Sequence, residues 1–221
     1  MLAGVPPELV LGLGLHSIGT YDNERTSAGG HAAAEPGFTE VLLLLLDLQR
    51  SGRLAVRLAV QDQQRVAWLS LSGGGNDADR ATERRLRELL ALPADRQVFE
   101  VVYTLADARP GQIAIRTRSL IEVLGQLAAD IDVPQGDVSE GRTYGGSEHG
   151  PSVDRFPRIE VRHGFLEPRD AFVSVPYDGD WFWIANDDLR TKRVFTFVML
   201  LLSLSESSKP GQPPVISIPT G

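Results

Sequence analysis

Residues 181–205 read WFWIANDDLRTKRVFTFVMLLLSLS, and the fold class turns on them. The first four alternate as a strand would place them, with Trp181 and Trp183 on one side and Phe182 and Ile184 on the other. Both faces of that strand then need cover. Asp187 and Asp188 follow, acids of the kind that cap and charge a helix start. From Val194 to Leu204 only Thr196 and Ser203 are polar, and a helix apolar on every side is buried on every side, either inside one core or with a face packed on a partner subunit. Upstream, Asp178-Gly179 marks a tight turn joining the strand to another at Ala171–Tyr177. A strand pair leading into a very apolar helix near the C-terminus, from Asp187 to about Ser205, implies an α+β chain. An antiparallel or mixed sheet should carry that helix on one face, with several other helices packed on the sheet.

Working outward, a capping box at Ser119-Leu-Ile-Glu122 opens a helix whose apolar face is Leu120, Leu124, Leu127 and Ile131. Val133-Pro134 ends it. Strands are expected at Val98–Leu105, Gln112–Arg116 and Arg158–His163, with a last one at Val215–Ile218. Leu54, Val56, Leu58 and Val60 alternate with smaller or charged residues, and Val66–Leu71 forms the partner across a short polar connection, as in a hairpin. Helices are expected at about Pro7–Ile18, Phe38–Arg50 with Gly52 at its C-terminal stop, and Asp77–Leu92. In the last of these, Glu83 with Arg87 and Arg84 with Glu88 make i,i+4 pairs on the wet face.

The 221 residues are 42% hydrophobic and 23% charged, which is ordinary globular composition. A chain of this size can bury a core without staples. The reading is one domain, 1–221, with long loops at about 22–37 and 135–157. A net charge of −7 disfavours general nucleic-acid binding. The absence of cysteine removes disulfides, thiolate metal sites and cysteine nucleophiles. No apolar run reaches the roughly 18 residues of a membrane span. The start lacks the basic residues of a signal peptide, which reads as cytoplasmic unless the chain is a fragment of a longer one.

The four histidines are scattered without metal-ligand spacing, and no cofactor or phosphate loop pattern is present. Asp178, Asp180, Asp187 and Asp188 invite a metal-site reading. A straight strand would hold the two pairs roughly 20 Å apart, so a hairpin turn plus a helix cap explains them better. Arg116 and Arg118, with Ser119 at a helix N-terminus, could hold a phosphate or carboxylate. The plainer alternative is an internal ion pair, with Asp187 or Asp188 as candidate partners. Trp181, Phe182 and Trp183 could face a partner protein or simply belong to the core.

The segments Ile113–Leu120, Val133-Pro134, Trp181–Lys192, the apolar helix to Ser205 and Val215–Pro219, in that order, resemble the C-terminal module of a group of uncharacterised bacterial envelope lipoprotein-like proteins. The resemblance implies peripheral association with the cell envelope and carries over no catalytic residue. The chain departs from that pattern in lacking a lipidated cysteine and a longer N-terminal part, and in Ala185-Asn186.

Two functional readings stay open. One is a non-enzymatic interaction or structural subunit that assembles with itself or with another protein. The other is a small anionic-ligand binder or enzyme using Arg116, Arg118 and Ser119.

Overall fold

Helix-forming and strand-forming segments alternate irregularly along the described chain, and the result is two larger sheets of six and three strands with helices against them, plus a two-stranded one. The computed structural model describes residues 7–23, 26–27, 30–31, 34–61, 64–104, 108–128, 131–143 and 159–207. In chain order the elements are α1 (Pro7–Gly14), β1 (Leu15–Ile18), β2 (Tyr21–Asp22), β3 (Thr26–Ser27), β4 (Gly30–His31), α2 (Pro36–Arg50), β5 (Leu54–Gln61), β6 (Gln64–Leu71), α3 (Asp77–Leu89), β7 (Val98–Tyr103), β8 (Gln112–Thr117), α4 (Leu120–Ala128), α5 (Gln135–Ser139), β9 (Arg162–Gly164), β10 (Ala171–Tyr177), β11 (Asp180–Ala185) and α6 (Leu189–Ser207). The six-stranded sheet runs β2-β1-β8-β7-β6-β5, and the three-stranded sheet runs β10-β11-β9. Only β7 and β8 pair in parallel within the large sheet, so it is mixed, and the chain is α+β as its pattern implies.

Two cores form. One lies between the large sheet and helices α2 and α3, built on Phe38, Val41, Leu45, Leu71, Leu86 and Phe99. The other gathers Leu9 and Leu13 of α1, Val123 and Leu127 of α4, Ile184 of β11, and Val194, Phe197 and Val198 of α6.

Several boundaries follow local chemistry. Helix α2 ends in a Schellman motif: Gly52, at φ +71°, donates to the Gln49 carbonyl, and the Arg53 amide donates 2.7 Å to Leu48. Asp178 and Gly179 both have positive φ, the mirror-image turn that suits a two-residue hairpin. The Ser119–Glu122 box closes as expected, with the Ser119 amide and hydroxyl each donating 2.7 Å to Glu122 Oε2.

Other expectations need correcting. The first helix stops at Gly14, and Leu15–Ile18 is a strand paired with β8 and β2. Two glycines weaken the helix there, and its last carbonyls are taken over by side chains. Asn23 donates to Gly12 O and Leu15 O at 2.7 and 2.8 Å, and Arg118 to Gly12 O and Leu13 O at 3.2 Å each. The segment 22–37 holds the two-residue pairing of β3 with β4, and α2 already begins at Pro36. Helix α3 ends at Leu89, short of Leu92. The Glu83–Arg87 pair is not on a wet face: both side chains are largely buried, and Arg87 lies over the Phe99 ring. Arg85, rather than Arg84, reaches Glu88. Val123, not Leu124, is the buried partner of Leu127 on α4. Gln135–Ser139 is a short helix at the head of the expected long loop, and residues 144–158 lie outside the described ones. The strand expected from Arg158 begins at Arg162. The Val215–Ile218 segment also lies outside the described residues.

The largest correction concerns α6. It is not buried all round: Val194, Phe197 and Val198 enter the second core, while Met199 is 60% and Leu204 56% exposed. A three-stranded sheet is too narrow to cover more than one side of a 19-residue helix. Among the described residues no helix is long and apolar enough to cross a membrane.

Candidate functional site

The arginines of the candidate anion site are placed by β8 and by the two residues after it. Arg116 stands opposite Ser17 of β1. Its Nε donates 2.8 Å to Ser17 Oγ, and its Nη2 pairs with Asp22 Oδ1 at 2.8 Å. Arg118 donates to the Gly12 and Leu13 carbonyls and to the carbonyl of Asn23. A cation at the C-terminal carbonyls of α1 also complements that helix dipole. Ser119 turns to its own helix, where its Oγ accepts from the Glu122 amide at 3.3 Å. The Ser119 hydroxyl and amide hold the Glu122 carboxyl below its ordinary pKa; burial opposes them, and His16 and Arg118 add to the lowering. The three residues are neighbours, yet each is engaged inside the fold. The ion pair expected with Asp187 or Asp188 is made with Asp22.

The aspartates separate into distinct jobs. Asp178 in the β10–β11 turn pairs with Arg142 at 2.9 Å, and Arg142 also pairs with Asp137 at 2.6 Å and Glu140 at 3.3 Å. One guanidinium thus fastens α5 to the hairpin turn. Asp188 caps α6, accepting from the Arg190 and Thr191 amides at 3.1 and 3.0 Å. It also accepts from the Thr191 hydroxyl. The buried Thr191 in turn accepts from the Glu160 amide at 3.0 Å, so the cap reaches across to the segment before β9. Burial pushes the Asp188 carboxyl up, but these donors outweigh it and the net direction is down. Asp180 Oδ1 is buried with no hydrogen-bond partner among the described residues. His163 Nδ1 sits 3.0 Å from Asp132 Oδ2, an ion-pair distance without hydrogen-bond geometry. Among the described residues no group of three or more histidines, aspartates and glutamates could hold a metal ion.

The aromatic strand β11 is the centre of the small sheet. Trp181, Phe182 and Trp183 are each half-buried. Phe182 points to the α6 side, packed against the second core and 6.1 Å from the His163 ring. Trp181 and Trp183 stand on the other side. Trp183 covers Gly164, where a Cβ would come within 3.3 Å of its ring.

The chain matches no family model, no curated protein and no solved structure. Function therefore rests on the geometry alone.

Two features of that geometry escape a reading of the sequence. On β10, Val173, Val175 and Tyr177 stand opposite Ile184, Phe182 and Asp180, on the side that α6 covers. All three are nevertheless exposed, as are Phe172 in the same strand and Phe165 and Leu166 after β9. On β5, every residue from Ala55 to Val60 is exposed. Alternation shows which residues share a face but not how far the covering layer extends.

Proposed function

We propose that this protein is a non-enzymatic interaction subunit whose C-terminal part, the small sheet with α6, docks against another protein surface. The observation that carries this reading is the exposed apolar surface of this C-terminal part. Val175 and Tyr177 of β10 and Met199, Leu200 and Leu204 of α6 are all exposed, and the aromatic strand β11 lies half-buried between layers that do not cover it. Large exposed apolar area on a globular domain usually marks an interaction site. Tryptophan and tyrosine are enriched where interface energy concentrates. The competing anion site at Arg116, Arg118 and Ser119 has less support, because a ligand there would have to displace Asp22 and the α1 carbonyls.

The resemblance of the C-terminal segments to an envelope lipoprotein-like module is compatible with a subunit of an envelope-associated assembly. The test is co-purification from the native source at low salt, followed by light scattering of the recovered complex. Trp181→Ala and Trp183→Ala, made separately, should leave the chain folded and weaken the complex. A monomer without companions, unaffected by either change, would remove the basis for the proposal.

A further inference from the structure

Of the four edges of the two larger sheets, three are blunted. β2 is two residues long and β9 three. β10 is irregular between Ala171 and Val173, and its Pro176 has no amide to offer. Short strands, bulges and edge prolines are the usual protections against strand-to-strand pairing. β5 has none of them. It is eight residues long, regularly paired with β6 along its length, and carries Arg57 as its one charge. Val56, Leu58 and Val60 are 61, 79 and 74% exposed.

The backbone also sets a register. The Ser72 amide donates 2.8 Å to Arg53 O, and the Leu71 amide donates 2.8 Å to Gln97 O toward β7. Hydrogen-bonded and non-bonded pairs alternate along an antiparallel ladder. The amides of Ala55, Arg57 and Ala59 therefore face β6, and those of Val56, Leu58 and Val60 face the edge that is unpaired among the described residues. We infer that β5 pairs antiparallel with β5 of a second copy of this chain, about a two-fold axis at Leu58, joining the two six-stranded sheets into one.

In that register Leu58 meets Leu58 and Val56 meets Val60, which gives about six backbone hydrogen bonds. An unbroken apolar strip then forms on the side of α2 and α3. Arg57 falls opposite Ala59. Moving the axis to Arg57 keeps the hydrogen bonding but sets two arginines face to face, which is unfavourable. The outward amides and carbonyls of Val56, Leu58 and Val60 match their own copies about a two-fold axis, which is what fits a second copy of this strand, and the single charge at Arg57 places that axis at Leu58. This seam is separate from the C-terminal surface proposed above.

The chain has no cysteine, so a single introduced thiol is diagnostic. Directly opposed Cα atoms lie about 5.5 Å apart, within disulfide range. Leu58→Cys should therefore form a covalent dimer under mild oxidation. Val56→Cys should not, because its copies lie about four residues, or ~13 Å, out of step. By sedimentation velocity the unmodified chain should be a dimer and Leu58→Lys a monomer that still melts cooperatively, at the lower temperature expected once dimerisation no longer supports the fold. An unmodified chain that is monomeric, with no Leu58→Cys cross-link, overturns the seam. So does a dimer that survives Leu58→Lys but is lost in Trp183→Ala, which would assign self-association to the C-terminal surface. Cross-linking by Val56→Cys in place of Leu58→Cys overturns the register.

Discussion

Helices α2 and α6 are both rich in leucine, and the fold treats them differently. In α2, Phe38, Val41, Leu42, Leu45, Leu46 and Leu48 are buried against six strands, and α3 closes the flank. Arg85 of α3 also grips Glu40 of α2 with two hydrogen bonds of 2.6 and 3.0 Å. That contact holds the Glu40 carboxyl below its ordinary value. In α6, three apolar residues reach the core with full burial, and Met199, Leu200 and Leu204 stay outside. The two helices differ in what they pack on. Six strands and α3 absorb most of one leucine-rich helix, leaving Leu43 outside, whereas three strands with α1 and α4 leave more of the other in solvent. Apolar surface is therefore left open on α6, and the proposed function uses it.

If α2 is a core helix, truncating its anchor should be severe. Phe38→Ala should cost about 3–5 kcal/mol by chemical denaturation, the range for a fully buried aromatic residue. A cost below about 1 kcal/mol would mean that the first core is not closed around it.

The start of α6 should matter next. Asp188→Ala removes the cap and its link through Thr191 to Glu160, and should cost about 1–2 kcal/mol. Because the folded state holds the Asp188 carboxyl below its ordinary value, the stabilisation is present above the ordinary carboxylate pKa. It fades as pH falls below about 4. The variant should lose less stability than the parent chain across that acid range, and equal losses would contradict the cap's electrostatic role. On α4, Ser119→Ala should cost about 1 kcal/mol, with a shifted denaturation midpoint and an unchanged slope. No shift would mean that the box contributes nothing measurable.

The sequence revealed those caps well, because a capping box, a Schellman glycine and an Asp-Gly turn are written in residues three or four apart. Ser119, Gly52 and Asp178-Gly179 behave as their local chemistry dictates. The end of α1 was hidden because it depends on Asn23 and Arg118, the latter more than 100 residues away in sequence. The exposure of α6 and β5 was hidden for a related reason: periodicity tells which side chains share a face, and the width of the opposing layer decides whether that face is covered. Arg116 and Arg118 looked like a site because two guanidinium groups stood beside a helix start. Asp22 and Asn23, their partners, carry no local sign of the pairing.

The smallest expected effect on stability is also the most informative for function. Met199→Lys combined with Leu204→Lys should change the stability of the free chain by less than about 0.5 kcal/mol per site, since both side chains are already in water. The direct test is sedimentation velocity of this double variant beside the parent chain, each recovered with its native companions. The expected result is a folded variant that sediments without companions, at the size set by its β5 pairing, and a parent chain that sediments in a larger complex. Equal sedimentation of the two would contradict an interaction surface on α6.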